Sequence, residues 1–201
     1  HMLDTVRWML DLGWPKKVSS TGGIYVQKES IANTSDTQTA IFEFDELNCV
    51  WQHRSWGNPT DPDYPWAFFI HGEKGIFKGS VFQYEFIPHE DGKTIKKEVV
   101  YEREKYPEDL KEKDIELHTA PATRGHMLDL LDSIENDRLP VADVQQGHIS
   151  TASCIMANLA MKLERPLAYN PQEKVIINDA EASSLLKNTY RGPWKHPFES
   201  I

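Results

Sequence analysis

The chain has 201 residues, with 31 acidic against 22 basic side chains and a net charge of −9. That balance excludes a nucleic-acid surface, because phosphate contacts require clustered Lys and Arg, and it offers no attraction to an anionic membrane. Hydrophobic content of 39% and charged content of 26% describe an ordinary globular chain, with no apolar run of about 18 residues that would span a bilayer.

No charged-then-apolar leader opens the sequence. The compartment stays open, with the cytoplasm favoured over the periplasm. Cys49 and Cys154 lie in apolar-patterned segments and read as two buried thiols rather than a disulfide or metal site.

In chain order, Leu3, Val6 and Leu10 recur at helical spacing, and Gly13 and Pro15 close that helix near Leu12. From Lys16 the period becomes two. Val18 to Gln27 reads as a strand, with Gly22-Gly23 as a bulge or bend. Thr39–Phe44 and Leu47–Ser55 form a hairpin through Asp45-Glu46. Trp66–Gly72, Gly75–Lys78, Val81–Ile87 and Ile95–Tyr101 are further short strands, and tight turns between them predict antiparallel pairing.

Glu102–Glu116 is a charged surface excursion. Met127, Leu130, Leu131 and Ile134 predict a helix that closes at Asp137–Pro140. A longer helix runs from about Ala142 to Leu163 with a stripe of Ala152, Ile155, Met156, Leu159 and Leu163. A short strand at Val175–Ile177 precedes a last helix, capped by Asn178 or Asp179, that extends to about Asn188. The fold class is α+β: one large, mainly antiparallel open-faced sheet of roughly six to nine strands, with helices packed on one face.

No Gly-x-Gly-x-x-Gly, phosphate loop, Cys-x-x-Cys or Gly-x-Ser-x-Gly is present. The elements do not alternate as a dinucleotide fold requires. His1 and Asp4 share a helix face, so the imidazole could act as general acid or base with the carboxylate setting its tautomer. Spacing alone favours the plainer alternative. That alternative is an exposed terminal histidine, native or vector-derived, beside a first-turn aspartate favoured by the helix dipole.

In Cys49–Trp56, Trp51 and His53 project to one face and Gln52, Arg54 and Trp56 to the other. Both faces combine flat apolar rings with hydrogen-bonding groups, the pairing that binds sugars. Buried or interfacial aromatics would give the same pattern. His148 lies on the expected buried stripe of the long helix, where a core histidine is the plain reading. His126 borders the preceding helix in the same way, and no third or fourth ligand completes a zinc site. The tail Tyr190–Pro197 is aromatic and basic. It would either fold over a pocket and offer Arg191 to an anionic or polyol group, or dock Trp194.

In order along the chain stand His1-Met2-Leu3-Asp4 with Trp8 and Gly13, Asp36-Thr37-Gln38, Trp51-Gln52-His53-Arg54 and Gly72-Glu73-Lys74-Gly75. Leu139-Pro140-Val141, Gly147-His148 with Asn158-Leu159-Ala160, Asn178–Ala182 and Tyr190–Trp194 follow. This set resembles the C-terminal domain of the glucose–fructose oxidoreductase/inositol dehydrogenase (Gfo/Idh/MocA) family, bacterial type, over nearly the whole chain.

The resemblance implies that residues 1–201 are a single substrate-binding and oligomerisation domain whose N-terminal Rossmann partner, which binds NAD or NADP, lies outside this chain. It implies a sugar or polyol substrate and homo-oligomers formed through the open sheet face. The family's catalytic histidine begins the His-x-x-Asp motif, which falls on His1; the aspartate that often stands four residues earlier has no counterpart here. The histidine would take the proton of a substrate hydroxyl while hydride passes to the nicotinamide. Asp4, Arg54, His148, Arg191 and Trp194 become expected substrate-binding residues on the same ground, and this domain alone is expected to be inactive. The alternative is a stand-alone, non-catalytic carbohydrate-binding or dimerisation module.

Overall fold

The computed structural model describes residues 1–111, 116–187 and 190–195. Residues 112–115 of the charged excursion, the expected helix end at Asn188, and His196 and Pro197 of the tail lie outside them. The described chain is α+β, with antiparallel strand pairing throughout. It divides into two compact units, His1–Val6 with Gly57–Gly147, and Arg7–Trp56 with His148–Ile201. Helix α1, Met2–Met9, passes from the first unit into the second, and helix α3, Val144–Leu163, does the same.

Hydrogen bonding corrects the expectation of one continuous sheet. Among the described residues the strands pair as three sheets, β1-β2-β3, β4-β5-β6-β7 and β8-β9. The chain between the first two sheets carries Pro59, Pro62 and Pro65, whose missing N–H groups cannot extend a ladder.

In the second unit, β1 (Lys17–Gly23), β2 (Thr37–Glu43) and β3 (Asn48–Arg54) pair without interruption. The bulge expected at Gly22-Gly23 is absent, since Gly22 faces Gln38 and Gly23 faces Thr37 in register. Glycine is needed at Gly22 for a different reason: a Cβ there would overlap the Thr37 carbonyl and press on Met161 Sδ at 3.0 Å. Gly22→Ala is therefore expected to destabilise the unit by about 1–3 kcal/mol, as overpacking does, read as a shift in urea midpoint at unchanged slope.

One face of this sheet carries Val18, Ala40 and Phe42, all fully or almost fully buried. Helix α3 lies along that face. Asn158 Oδ1 accepts from Gln38 Nε2 at 3.2 Å. At the other end, His148 meets Trp14, and Lys16 N donates to Glu43 O at 2.7 Å. The ten residues from 148 to 158 span about 15 Å of helix, close to the roughly 17 Å of strand from Glu43 to Gln38.

The buried stripe of α3 is Ile149, Ser153, Met156 and Ala160. It shares Met156 with the expected stripe of Ala152, Ile155, Met156, Leu159 and Leu163 but is otherwise displaced from it, and Ile155 is exposed. Small residues let the helix approach the sheet, and Ser153 satisfies its hydroxyl by donating to Ile149 O at 2.7 Å. His148 falls off this stripe and is exposed, which corrects its expected core position. Cys154 is likewise exposed and Cys49 only half-buried, and neither is in a disulfide.

The turn between β1 and β2 folds around Asp36. Its carboxylate accepts from the backbone N–H of Tyr25, Val26 and Gln27 and from the Thr37 hydroxyl. Burial acts to raise its pKa, but these donors outweigh it and hold the carboxyl well below the usual carboxylate range. β8 (Tyr169–Asn170) and β9 (Val175–Ile176) form a small hairpin, and α4 (Ala180–Ser184) is capped by Asp179, which accepts from Ala182 N. Arg165 clamps the same carboxylate at 2.8 Å and lowers its pKa.

In the first unit, Leu3 and Val6 of α1 are buried. Leu10 lies beyond the helix and is exposed. The left-handed residue after the helix is Asp11, at φ 51, rather than Gly13; aspartate tolerates that region better than most residues. β4 (Ala67–Gly72), β5 (Gly75–Ser80), β6 (Gln83–Pro88) and β7 (Ile95–Glu98) follow as an antiparallel meander.

A short 3-10 turn at Pro107–Leu110 brings Asp109 to Arg124 of α2 (Ala120–Glu135), a bidentate pair at 3.0 and 2.7 Å. The expected apolar stripe of α2, Met127, Leu130, Leu131 and Ile134, is exposed. Its periodicity reports an amphipathic helix but not what covers it. His126 beside that stripe is exposed as well.

Asp109 is held low by Arg124, and Asp129 by the Val141 N–H and Arg138, joining Asp36 and Asp179. Each folded pKa lies below its unfolded value near about 4. The stability these groups contribute is therefore complete above that pH and drains as pH falls through the folded values. The melting temperature is expected to be flat from neutrality to roughly pH 5 and to fall below about pH 4. Asp36→Asn should lower it by several degrees at neutral pH and flatten the acid limb. An unchanged acid limb in that variant would contradict the assignment.

Candidate functional site

His1 and Asp4 belong to the first unit, and both are exposed on the α1 end. The His1 backbone carbonyl accepts from Thr5 N and Thr5 Oγ1, both at 2.9 Å, which anchors the helix start and leaves the ring to its own surroundings. The imidazole meets the Trp66 indole edge-to-face, ring centres 5.9 Å apart and planes at 75°.

The remaining expected residues belong to the second unit. Trp14 packs edge-on against His148, centres 5.5 Å apart, and tilts onto Tyr169 at 4.7 Å. Burial pushes the Tyr169 hydroxyl's pKa up. Beneath them lies Arg7, almost wholly buried. Its Nε donates to Gly13 O at 3.2 Å and its Nη1 to Ser150 Oγ at 2.5 Å. These bonds tie the residue before Trp14 to the residue two after His148, so the guanidinium fixes where the two rings meet.

The sequence reading missed Arg7, Trp14 and Tyr169. Arg7 carried one signal, since it follows Leu3 by four residues on the buried helix face. The Arg7–Ser150 pair, 143 residues apart in sequence, had none.

Arg54 ends β3, exposed, with its guanidinium 5.8 Å from the Trp56 ring centre. Trp56 Nε1 donates to Thr37 Oγ1 at 2.8 Å. On the opposite face Trp51 and His53 stack at 5.7 Å with planes 9° apart. Register puts Trp51 and His53 beside Ala40 and Gln38, on the α3 side, and Arg54 beside Thr37 on the open side. In the tail, Trp194 N donates to Arg191 O at 3.1 Å. Both side chains are exposed and the Trp194 indole is not docked.

Among the described residues no group of three or more His, Cys, Asp and Glu side chains is placed to hold a metal ion. No described helix is long and apolar enough to cross a membrane. Among the described residues every strand pair is antiparallel.

Comparison with known proteins bears on these features. Among solved structures, the candidate oxidoreductase yvaA of Bacillus subtilis aligns with a TM-score of 0.52 at 14% identity, over 85% of this chain and 49% of its own. A candidate dehydrogenase of Thermotoga maritima aligns with a TM-score of 0.45 at 12% identity, over 83% and 46%. The first likeness shows the fold, and the chain spans about half the length of the solved structures it matches. No curated protein matches it. Residues 83–196 match the model of the oxidoreductase family's C-terminal alpha/beta domain. Because that match takes in more than half of its residues, the chain belongs to the Gfo/Idh/MocA oxidoreductase family and carries its C-terminal alpha/beta domain.

Proposed function

We propose that this chain is the substrate-binding and oligomerisation part of an NAD(P)-dependent sugar or polyol oxidoreductase, with the nucleotide held by a domain outside these residues. The observation that carries the reading is the match to the family's C-terminal domain in a chain whose described strands pair only in antiparallel fashion. Bound NAD or NADP would supply the hydride acceptor.

In this reading His1, held against Trp66, accepts the proton of a substrate hydroxyl. Asp4, His148, Arg191 and Trp194 serve as substrate-binding residues, with Trp14 and Arg7 positioning His148, whereas Arg54, expected with them, lies on the open side of the β1–β3 sheet. The open face of the β1–β3 sheet, where Ile41 and Val50 are exposed beside Gln52 and Arg54, serves self-association.

A second reading, a non-catalytic carbohydrate-binding module, draws on the Trp51–His53 stack and the Arg54–Trp56 pair. The natural reading frame separates the two. A Gly-x-Gly-x-x-Gly segment upstream, and NAD(P)-dependent oxidation of a sugar or polyol by the protein it encodes, support the enzyme. A frame that starts at Met2, with sugar binding and no oxidation, overturns it.

A further inference from the structure

The chain holds two cysteines, one on each of two facing elements. Cys49 on β3 is paired in register with buried Phe42, so its thiol is on the sheet face that α3 covers. Cys154 lies one helical turn before Asn158, which hydrogen-bonds Gln38 on that same face. Moving one turn back along α3 covers about 6 Å, and two residues along β2 cover about the same distance. This brings Cys154 to the level of Ala40, whose β3 partner is Trp51, one side-chain step from Cys49.

The two thiols are close enough to interact electrostatically. Burial and the neighbouring Cys154 both push the Cys49 thiol's pKa up. The environments differ, since Cys154 is exposed and Cys49 half-buried. An exposed thiol beside a shielded one is the arrangement of an oxidant-meeting and a resolving cysteine.

We propose that Cys49 and Cys154 form a reversible disulfide when hydrogen peroxide reaches the protein, tying α3 to β3. The Cys154 thiolate attacks one peroxide oxygen. The O–O bond breaks, and the other oxygen leaves as water with the proton that Cys154 released. The Cys49 thiolate then attacks the sulfenic sulfur. The S–S bond forms, the S–O bond breaks, and hydroxide departs as water with the Cys49 proton. Two thiols are oxidised and one peroxide becomes two waters. The bond fastens the strand that carries Trp51, His53 and Arg54, so oxidation would act on β3 without touching those side chains.

The test is intact-mass analysis and thiol titration of the chain under denaturing conditions, before and after stoichiometric hydrogen peroxide. The expected result is loss of two hydrogen masses and of both thiols, a monomer on a non-reducing gel, and full recovery with dithiothreitol. Cys49→Ser should instead stop at oxygen adducts on Cys154. The proposal is overturned if both thiols still titrate after peroxide, if the linkage is intermolecular, or if the unsubstituted chain accumulates oxygen on Cys154 while Cys49 stays free.

Discussion

Phe42→Ala is expected to destabilise the chain by about 3–5 kcal/mol, the cost of removing a buried aromatic ring and leaving a cavity. Phe42 is 2% exposed and sits near the end of β2, paired on one side with Val18 of β1 and on the other with Cys49 of β3. The strands are hydrogen-bonded on both sides, so they cannot collapse freely into the space. Against a total stability of roughly 5–15 kcal/mol the loss is large. In a chain of this size it corresponds to roughly 2–4 °C of melting temperature per kcal/mol. Urea titration of Phe42→Ala and Phe42→Leu measures it. A cost below about 1.5 kcal/mol for the alanine, the range of volume-conserving swaps, would show that the helix-covered face is not the core described above.

For activity, the largest effect is expected at His1. On the proposed reading, in the protein encoded by the full reading frame, His1→Gln keeps hydrogen-bonding groups but cannot hold a proton near neutral pH. Turnover should fall roughly 10²–10⁴-fold, the range for loss of a general acid or base, with nucleotide affinity unchanged. Trp66→Leu removes the ring that orients the imidazole and should lower turnover less. His148→Ala should act mainly on KM, because its proposed role is to bind substrate. Turnover of His1→Gln near that of the unsubstituted enzyme would remove His1 from the catalytic assignment.

Much of the fold was legible because strands and helices leave periodic marks. Alternation placed the hairpin of Thr37–Glu43 with Asn48–Arg54 to within two residues, and the cap Asp179 was one of the two candidates, with Asn178, that residue type offered. Where periodicity misled, side-chain size was the reason. The stripe on α3 was drawn mostly through bulky residues, of which Met156 is buried, whereas close packing also selected Ser153, Ala157 and Ala160. That displacement put His148 on the exposed side.

Gly22 shows the same limit, since a glycine in a strand reads as a bulge until the neighbouring carbonyl is seen. The Asp36 turn was invisible because its donors are backbone groups nine to eleven residues away. Of the candidate site, the two-faced character of Trp51–Arg54 could be read from spacing. The contacts of His148 with Trp14 and of Arg7 with Ser150 depend on chain closure, and no local pattern records them.

On the proposed reading, the nucleotide is bound by a domain outside these residues. Fluorescence titration of the purified chain with NADH and with NADPH tests it directly. No saturable binding in the micromolar range is expected, while the same titration of the protein encoded by the full reading frame saturates. Micromolar binding of either nucleotide to these residues alone would contradict it.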